Sequence, residues 1–189
     1  IVMRAYVKLV PGSGRVFVST SPKIGIDLQR AAEVAYRVAL AYAGVSESYD
    51  VMIVITANET VNVVDGPSAG GALAAIIAAL LTNKTVRKDV VMTGTIEPDG
   101  RIGPVGGVYE KAIAAARYGA KLFLVPRGQS VVRVLKPEVV KIGPGFKLIK
   151  YKAVTVSLEE ELRRQGYDIE VREVSTLSEA LSYFLQEAG

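Results

Sequence analysis

The 189-residue chain has no histidine, no cysteine and no tryptophan. The first two absences exclude a Ser-His-Asp triad, a Cys-His pair and a His-ligated zinc site. Any proton acceptor in a catalytic role must therefore be Lys, Asp, Glu or Tyr. No disulfide can form, so cysteine usage says nothing about compartment. A strong charge of one sign is also missing. Lys and Arg number 23 against 19 Asp and Glu, a net +4, and they are scattered along the sequence. That balance argues against a nucleic-acid face. No run reaches the roughly 18 apolar residues of a membrane-spanning helix. The longest, Gly70–Leu81, has the length of a buried helix. There is no G-x-x-x-x-G-K-[ST] phosphate loop. The chain opens on Ile1 rather than Met, so the lack of a leader carries no message about the full gene product.

Half of the residues are hydrophobic and the mean hydropathy is +0.29. This is enough for one domain, residues 1–189, with a substantial core. Arg4–Val10 and Arg15–Thr20 are β-rich runs around "PGSG" and predict an N-terminal hairpin. Asp27–Ala43 places Leu28, Ala31, Ala32, Ala35, Val38, Ala39 and Tyr42 on one face, with Gly44 as a stop, and predicts an amphipathic helix. "YDVMIVITA", Tyr49 to Ala57, predicts a central strand buried on both faces. Asp89–Ile96 predicts another strand, followed by the turn "EPDG". A helix from about Tyr109 to Tyr118, the strand "KLFLVP" and a Gly-Pro-Gly bend at Gly143–Gly145 follow. The tail predicts helix 158–165, strand 169–174 and helix 177–187, the last capped by Ser175 or Thr176. Together these define an α/β (α+β) fold with mixed sheets and packed helices.

Two segments could carry chemistry. In "VVDGPSAGGALAAIIAALL", Gly66 permits a strained bend and Pro67 fixes the next φ. Ser68 then stands at the mouth of an apolar helix, whose positive end favours a developing oxyanion. Pro67 has no N–H to offer an oxyanion; the amide of Ser68 is the better donor. Ser68 is either a helix N-cap or a nucleophile, and this motif alone leaves both open. In "GGVYEKAIAAARYGA", Lys111 lies near a helix start among alanines. The macrodipole and desolvation both lower a lysine pKa there, as a serine-activating base requires. A solvated helix lysine is the alternative. Glu110 would oppose the shift if it folded back onto the amine.

"DGPSAGG" and, 43 residues after its serine, the lysine of "GGVYEKAIAAARYGAKLFLVP" closely resemble the proteolytic domain of the Lon protease family. "MTGTIEPDGRIGPVGG" is similar to the segment between the two motifs. The likeness is best over residues 50–129. It implies a serine endopeptidase with a Ser-Lys dyad, Ser68 as nucleophile and Lys111 as base. Thr93 falls where the family has a hydroxyl that hydrogen-bonds the lysine. Asp65 matches an acidic position of some members; an Asx-type turn residue remains the other reading. The resemblance implies unfolded or flexible polypeptides as substrates, a homo-hexameric ring, and no metal, nucleotide or other cofactor in the chemistry. "TANETVNVV" departs from the usual approach to the serine motif. "PGSGRVFVSTSP" and the tail look more like an archaeal group without the ATPase module. That affinity favours a membrane-associated or extracytoplasmic site over a cytoplasmic one, with any anchor or ATPase lying outside this chain. The proteolytic domain of an ATP-dependent archaeal Lon, and a non-catalytic Lon-fold assembly domain, are the alternatives. An RNA-binding role would need exposed aromatics on a basic face. Most of the nine Tyr and four Phe occupy apolar-periodic positions instead.

Overall fold

The computed structural model describes residues 1–21, 23–46, 48–57, 63–64 and 66–186. Alternation makes β1 (Met3–Pro11) and β2 (Val16–Ser21) half-buried strands. Ala5, Val7, Leu9, Val16 and Val18 pack on the core, while Tyr6, Lys8, Phe17 and Ser19 are exposed. A two-residue strand β3 (Lys23–Ile24) precedes helix α1 (Ile26–Ala43). Its inward face is Leu28, Ala31, Ala32, Ala35, Tyr36, Val38 and Ala39, whereas Tyr42 is exposed. Gly44 ends it, donating to the carbonyl of Ala41 at 3.3 Å.

The expected β1–β2 hairpin does not form. Strand β4 (Tyr49–Ala57) lies between the two, antiparallel to β1 and parallel to β2. The chain reaches β4 from β2 through α1, a crossover that only a parallel pairing needs. The 12–15 loop instead wraps around the start of β4. There Asp50 Oδ1 accepts from the N–H groups of Ser13 and Arg15, 2.9 Å each, and replaces the turn bonds of a hairpin. The β4 strand is central, but it is buried on one face only. Val51, Ile53 and Ile55 point inward, and Met52 and Val54 are exposed.

Strand β5 (Val63–Val64) pairs in parallel with β3. A 3-10 turn, Pro67–Ala69, leads into helix α2 (Gly70–Leu81), which is buried along most of its length. The run 89–96 is two strands, β6 (Val90–Met92) and β7 (Thr95–Ile96), because the chain bends at Thr93–Gly94. Strand β8 (Ile102–Gly103) pairs antiparallel with β7 across the "EPDG" turn. Helix α3 (Val108–Tyr118) and the fully buried strand β9 (Leu122–Pro126) follow. A long hairpin of β10 (Val131–Gly143) and β11 (Phe146–Ser157) closes at the Gly-Pro-Gly bend. Helix α4 (Leu158–Arg164), strand β12 (Glu170–Val174) and helix α5 (Leu177–Phe184) complete the chain. Thr176 caps α5, accepting from the N–H of Glu179 at 3.2 Å. The helix stops at Phe184, short of the expected Glu187, because Leu185 turns extended and bridges to Val86.

Strands β12, β9 and β6 form a parallel sheet in that order. One core joins the inner face of the β1-β4-β2 sheet to α1, α2 and α5. A second lies between α3, α4, β9 and β12. Among the described residues no helix is long and apolar enough to cross a membrane.

Candidate active site

Gly66 takes φ +108°, a backbone conformation that side-chain-bearing residues rarely adopt. Pro67 then opens the 3-10 turn that holds Ser68 at the start of α2. The capping position of α2 belongs to Ala69, that of the turn to Gly66, and no side chain caps either one. Ser68 therefore does not take the N-cap role that its sequence motif allowed. Its backbone is clamped from the opposite side. The Ser68 carbonyl accepts from Gly94 N–H at 3.0 Å, and the Gly94 carbonyl accepts from Gly71 N–H at 3.0 Å. These two bonds turn the Gly94 backbone out of a β-ladder and toward the serine, which is why the run 89–96 breaks here. Gly94 has φ +156°, and a Cβ there would lie 2.6 Å from Ile102 Cγ2.

Thr93 precedes this clamp and is 5% exposed. Its N–H donates to the carbonyl of Leu124 in β9 at 3.0 Å, which fixes it to the parallel sheet. Lys111 sits in the first turn of α3, its N–H bonded to the Gly107 carbonyl at 3.0 Å. Helix α3 packs through Val108, Ala112, Ala115 and Ala116, and the Lys111 side chain is half-buried. Burial holds its amine below the ordinary lysine value of 10.5. Glu110 faces clefts shared with Arg117 and Arg133 and makes no contribution to that shift.

Ser68, Thr93 and Lys111 line one cavity of about 160 Å³. The rest of its wall is apolar or backbone, with Leu28, Leu73, Val91 and Phe123 among the contributors. Lys111 is the one ionisable side chain among the described lining residues. Sequence reasoning thus named three polar residues that meet in space. Asp65 lies outside the described residues. The described residues contain no cluster of Asp and Glu able to hold a metal ion.

Other contributors were not read from the sequence. Gln129 spans the approach to α3, donating from Nε2 to the Val105 carbonyl at 2.8 Å and accepting from Val105 N–H at 3.0 Å. It thereby mimics a strand partner for the glycine-rich bend. Glu173 accepts from the Ser130 hydroxyl at 2.6 Å and from its N–H at 3.1 Å. Hydrogen bonds from the Gly128 backbone and the Ser130 hydroxyl hold the Glu173 carboxyl below its usual range. Ile1–Met3 form one lip of the cavity. A polar side chain answering a backbone across a distant loop leaves no local signal in the sequence.

Fold and cavity together define a mixed α/β domain with a serine, a threonine and a desolvated lysine on one apolar pocket. Residues 7–161 match the Lon protease (S16) C-terminal proteolytic domain, and the chain belongs to that family. It is 33% identical to Lon protease from Azospirillum brasilense over 180 residues, which span 92% of this chain and 22% of that protein. It is 31% identical to Lon protease 1 from Myxococcus xanthus over 161 residues, 82% of this chain and 19% of the relative. A stretch of 63 residues is 51% identical to Lon protease from Syntrophus aciditrophicus. The chain spans about a fifth of the length of the first two relatives, and these relatives are bacterial.

Proposed function

We propose that this domain is a serine endopeptidase in which Ser68 and Lys111 act as a dyad on unfolded or flexible polypeptides. The observation that carries this reading is the cavity itself. It presents one serine, and among its described lining residues one ionisable side chain, a lysine whose amine burial pushes toward neutrality. Ser68 Oγ attacks the scissile carbonyl carbon while neutral Lys111 Nζ takes its proton. Negative charge on the tetrahedral oxygen develops near the N-terminal end of α2, where the helix field favours it. The C–N bond then breaks, and the Lys111 ammonium gives its proton to the leaving amine. Water attacks the resulting ester with Lys111 again as base, and Ser68 is released. Thr93 is a positioning residue in this scheme. Its hydroxyl holds the amine toward Ser68, consistent with its place on the same wall.

No step calls on a nucleotide, and ATP is expected neither to bind this chain nor to stimulate it. This accords with reading the first and last segments as those of an archaeal ATPase-free group, a grouping proposed here on those segments alone. The Lon proteases of the bacterial relatives are more than fourfold longer; calorimetry with ATP tests whether this chain binds a nucleotide, and tight stoichiometric binding overturns the reading. The active assembly is proposed to be a hexameric ring using two different patches per subunit. Sedimentation velocity beside activity per subunit tests it, and full activity from a strict monomer refutes it. The chemistry is tested by casein hydrolysis. Ser68→Ala and Lys111→Ala should each abolish turnover without unfolding the chain, and the double variant should be no worse than either. Full activity in Lys111→Ala refutes the lysine base.

A further inference from the structure

The β10–β11 hairpin has no counterpart in the chemistry above. Its base is anchored: Val132 packs on the second core, and the Leu158 N–H donates to the Ser130 carbonyl at 2.8 Å. Beyond the base the two strands run unsupported, and isolated two-stranded ribbons are marginal in water. The register puts Leu135 opposite Ala153, Pro137 opposite Tyr151 and Val139 opposite Ile149, successive pairs on one face. Leu135 is 68% exposed and Tyr151 67%. At the tip, Ile142 is 66% and Phe146 75% exposed on either side of the Pro144–Gly145 turn. Lys141 and Lys147 face each other directly behind it.

Charge is concentrated in the same place. Residues 131–157 carry six Lys and Arg (Arg133, Lys136, Lys141, Lys147, Lys150, Lys152) against one acid, Glu138. The whole chain has 23 against 19, so the remainder holds 17 basic and 18 acidic groups. The excess of basic over acidic residues thus lies in one contiguous segment, 131–157, which the fold sets out as a single exposed hairpin carrying all of the net positive charge.

We propose that this hairpin is a docking element for an anionic lipid bilayer, with Ile142 and Phe146 entering the interface and the lysines contacting headgroups. An apolar tip behind a lysine collar matches the layering of that interface, where apolar groups enter and long cationic stems reach the phosphates. A second copy of this chain is the poorer fit. Two hairpins repel each other, and the rest of the chain, with a net charge of only −1, offers little to attract one. Phe146 and Tyr151 are exposed on this basic element, against the expectation that the aromatics lie in the core, and would give nucleic acid stacking partners beside the lysines; Leu135, Ile142 and Ile149, exposed as well, would then be left without a partner. The base of the hairpin shares a cleft with Gly107–Glu110 at the start of α3, so docking would tie the catalytic helix to the bilayer surface.

The absence of tryptophan gives a clean probe. Phe146→Trp, as the sole indole, should shift its emission to the blue with phosphatidylglycerol–phosphatidylcholine vesicles and not with phosphatidylcholine alone. Flotation of the unaltered 189-residue chain should show the same lipid dependence and weaken as salt rises. A basic residue near an anionic bilayer strengthens binding roughly fivefold, so the double variant Lys141→Glu, Lys147→Glu should lose more than about 25-fold. Circular dichroism of each variant establishes that it is folded. An unshifted emission with anionic vesicles overturns the proposal. So does a blue emission without vesicles that reverts on dilution, which assigns the tip to a second copy. Retention of single-stranded RNA or of an acidic polypeptide without vesicle binding overturns it as well.

Discussion

Replacing Gly94 by alanine tests whether the backbone clamp positions the serine. The added methyl would lie 2.6 Å from Ile102 Cγ2, 3.6 Å from Pro126 Cγ and 3.7 Å from Met92 Cε. Ile102 and Met92 are both buried, so neither can swing into solvent. Overpacking of this kind costs about 1–3 kcal/mol, and the φ of +156° adds strain of about 1–3 kcal/mol for a residue with a Cβ. The sum, about 2–6 kcal/mol, is a large share of the roughly 5–15 kcal/mol by which a domain is stable. Function should fall further than folding does. Relief of the clash moves the Gly94 N–H and carbonyl, and with them Ser68 and Gly71. A displacement near 1 Å at a reacting group costs on the order of 100-fold in rate. Urea unfolding and casein turnover, measured on the folded fraction, give the two effects separately. Gly143→Ala is the control, since nothing lies within 4 Å of a Cβ there; its unfolding free energy should change by no more than about 0.5 kcal/mol. A Gly94→Ala protein with wild-type midpoint and wild-type turnover refutes the clamp.

Activity should rise with pH as the Lys111 ammonium is lost, and half-maximal turnover should fall below the ordinary lysine value of 10.5. Stability should rise over the same range. Below its folded pKa the amine is charged in both states and carries its burial cost in full. Between the folded and unfolded values only the unfolded chain keeps the proton, so the cost is progressively relieved. Lys111→Met should therefore be inactive yet more resistant to urea at pH 7, with a flatter pH dependence; a lower midpoint at pH 7 contradicts the burial argument. Gln129→Ala removes both bonds to Val105 and should cost about 1–3 kcal/mol, with a loss of turnover because the entry to α3 loosens. Thermal unfolding beside kinetics would check it, and an unchanged Tm contradicts the bracing role.

Local patterns were legible where neighbours in sequence decide the structure. The 3.6-residue spacing of Leu28, Ala32, Ala35 and Ala39 specified the buried face of α1. The unbroken apolar run of Gly70–Leu81 specified an interior helix, and Thr176 was readable as a cap. Strand pairing was not legible, because it depends on partners far along the chain. β1 and β2 look like a hairpin around "PGSG", and only the fold shows β4 between them with Asp50 bonded to the loop. The alternation of Met52 and Val54 with Val51, Ile53 and Ile55 is masked in a strand whose exposed residues are themselves apolar. At the cavity, Ser68 and Lys111 could be singled out from their local motifs, and Thr93 from the resemblance to the Lon family; all three line it. The Gly94 clamp, the Gln129 brace and the cavity lip at Ile1–Met3 arise from backbone contacts across separate elements, which motif spacing does not encode.

The dyad is tested most directly by covalent capture. A serine-reactive fluorophosphonate, applied at several pH values and read by peptide mass spectrometry, should add a single adduct on Ser68, faster as pH rises. Lys111→Ala should leave Ser68 in place but nearly unreactive. Labelling of Ser68 at the native rate in Lys111→Ala, or an adduct on another serine that persists in Ser68→Ala, would contradict the account.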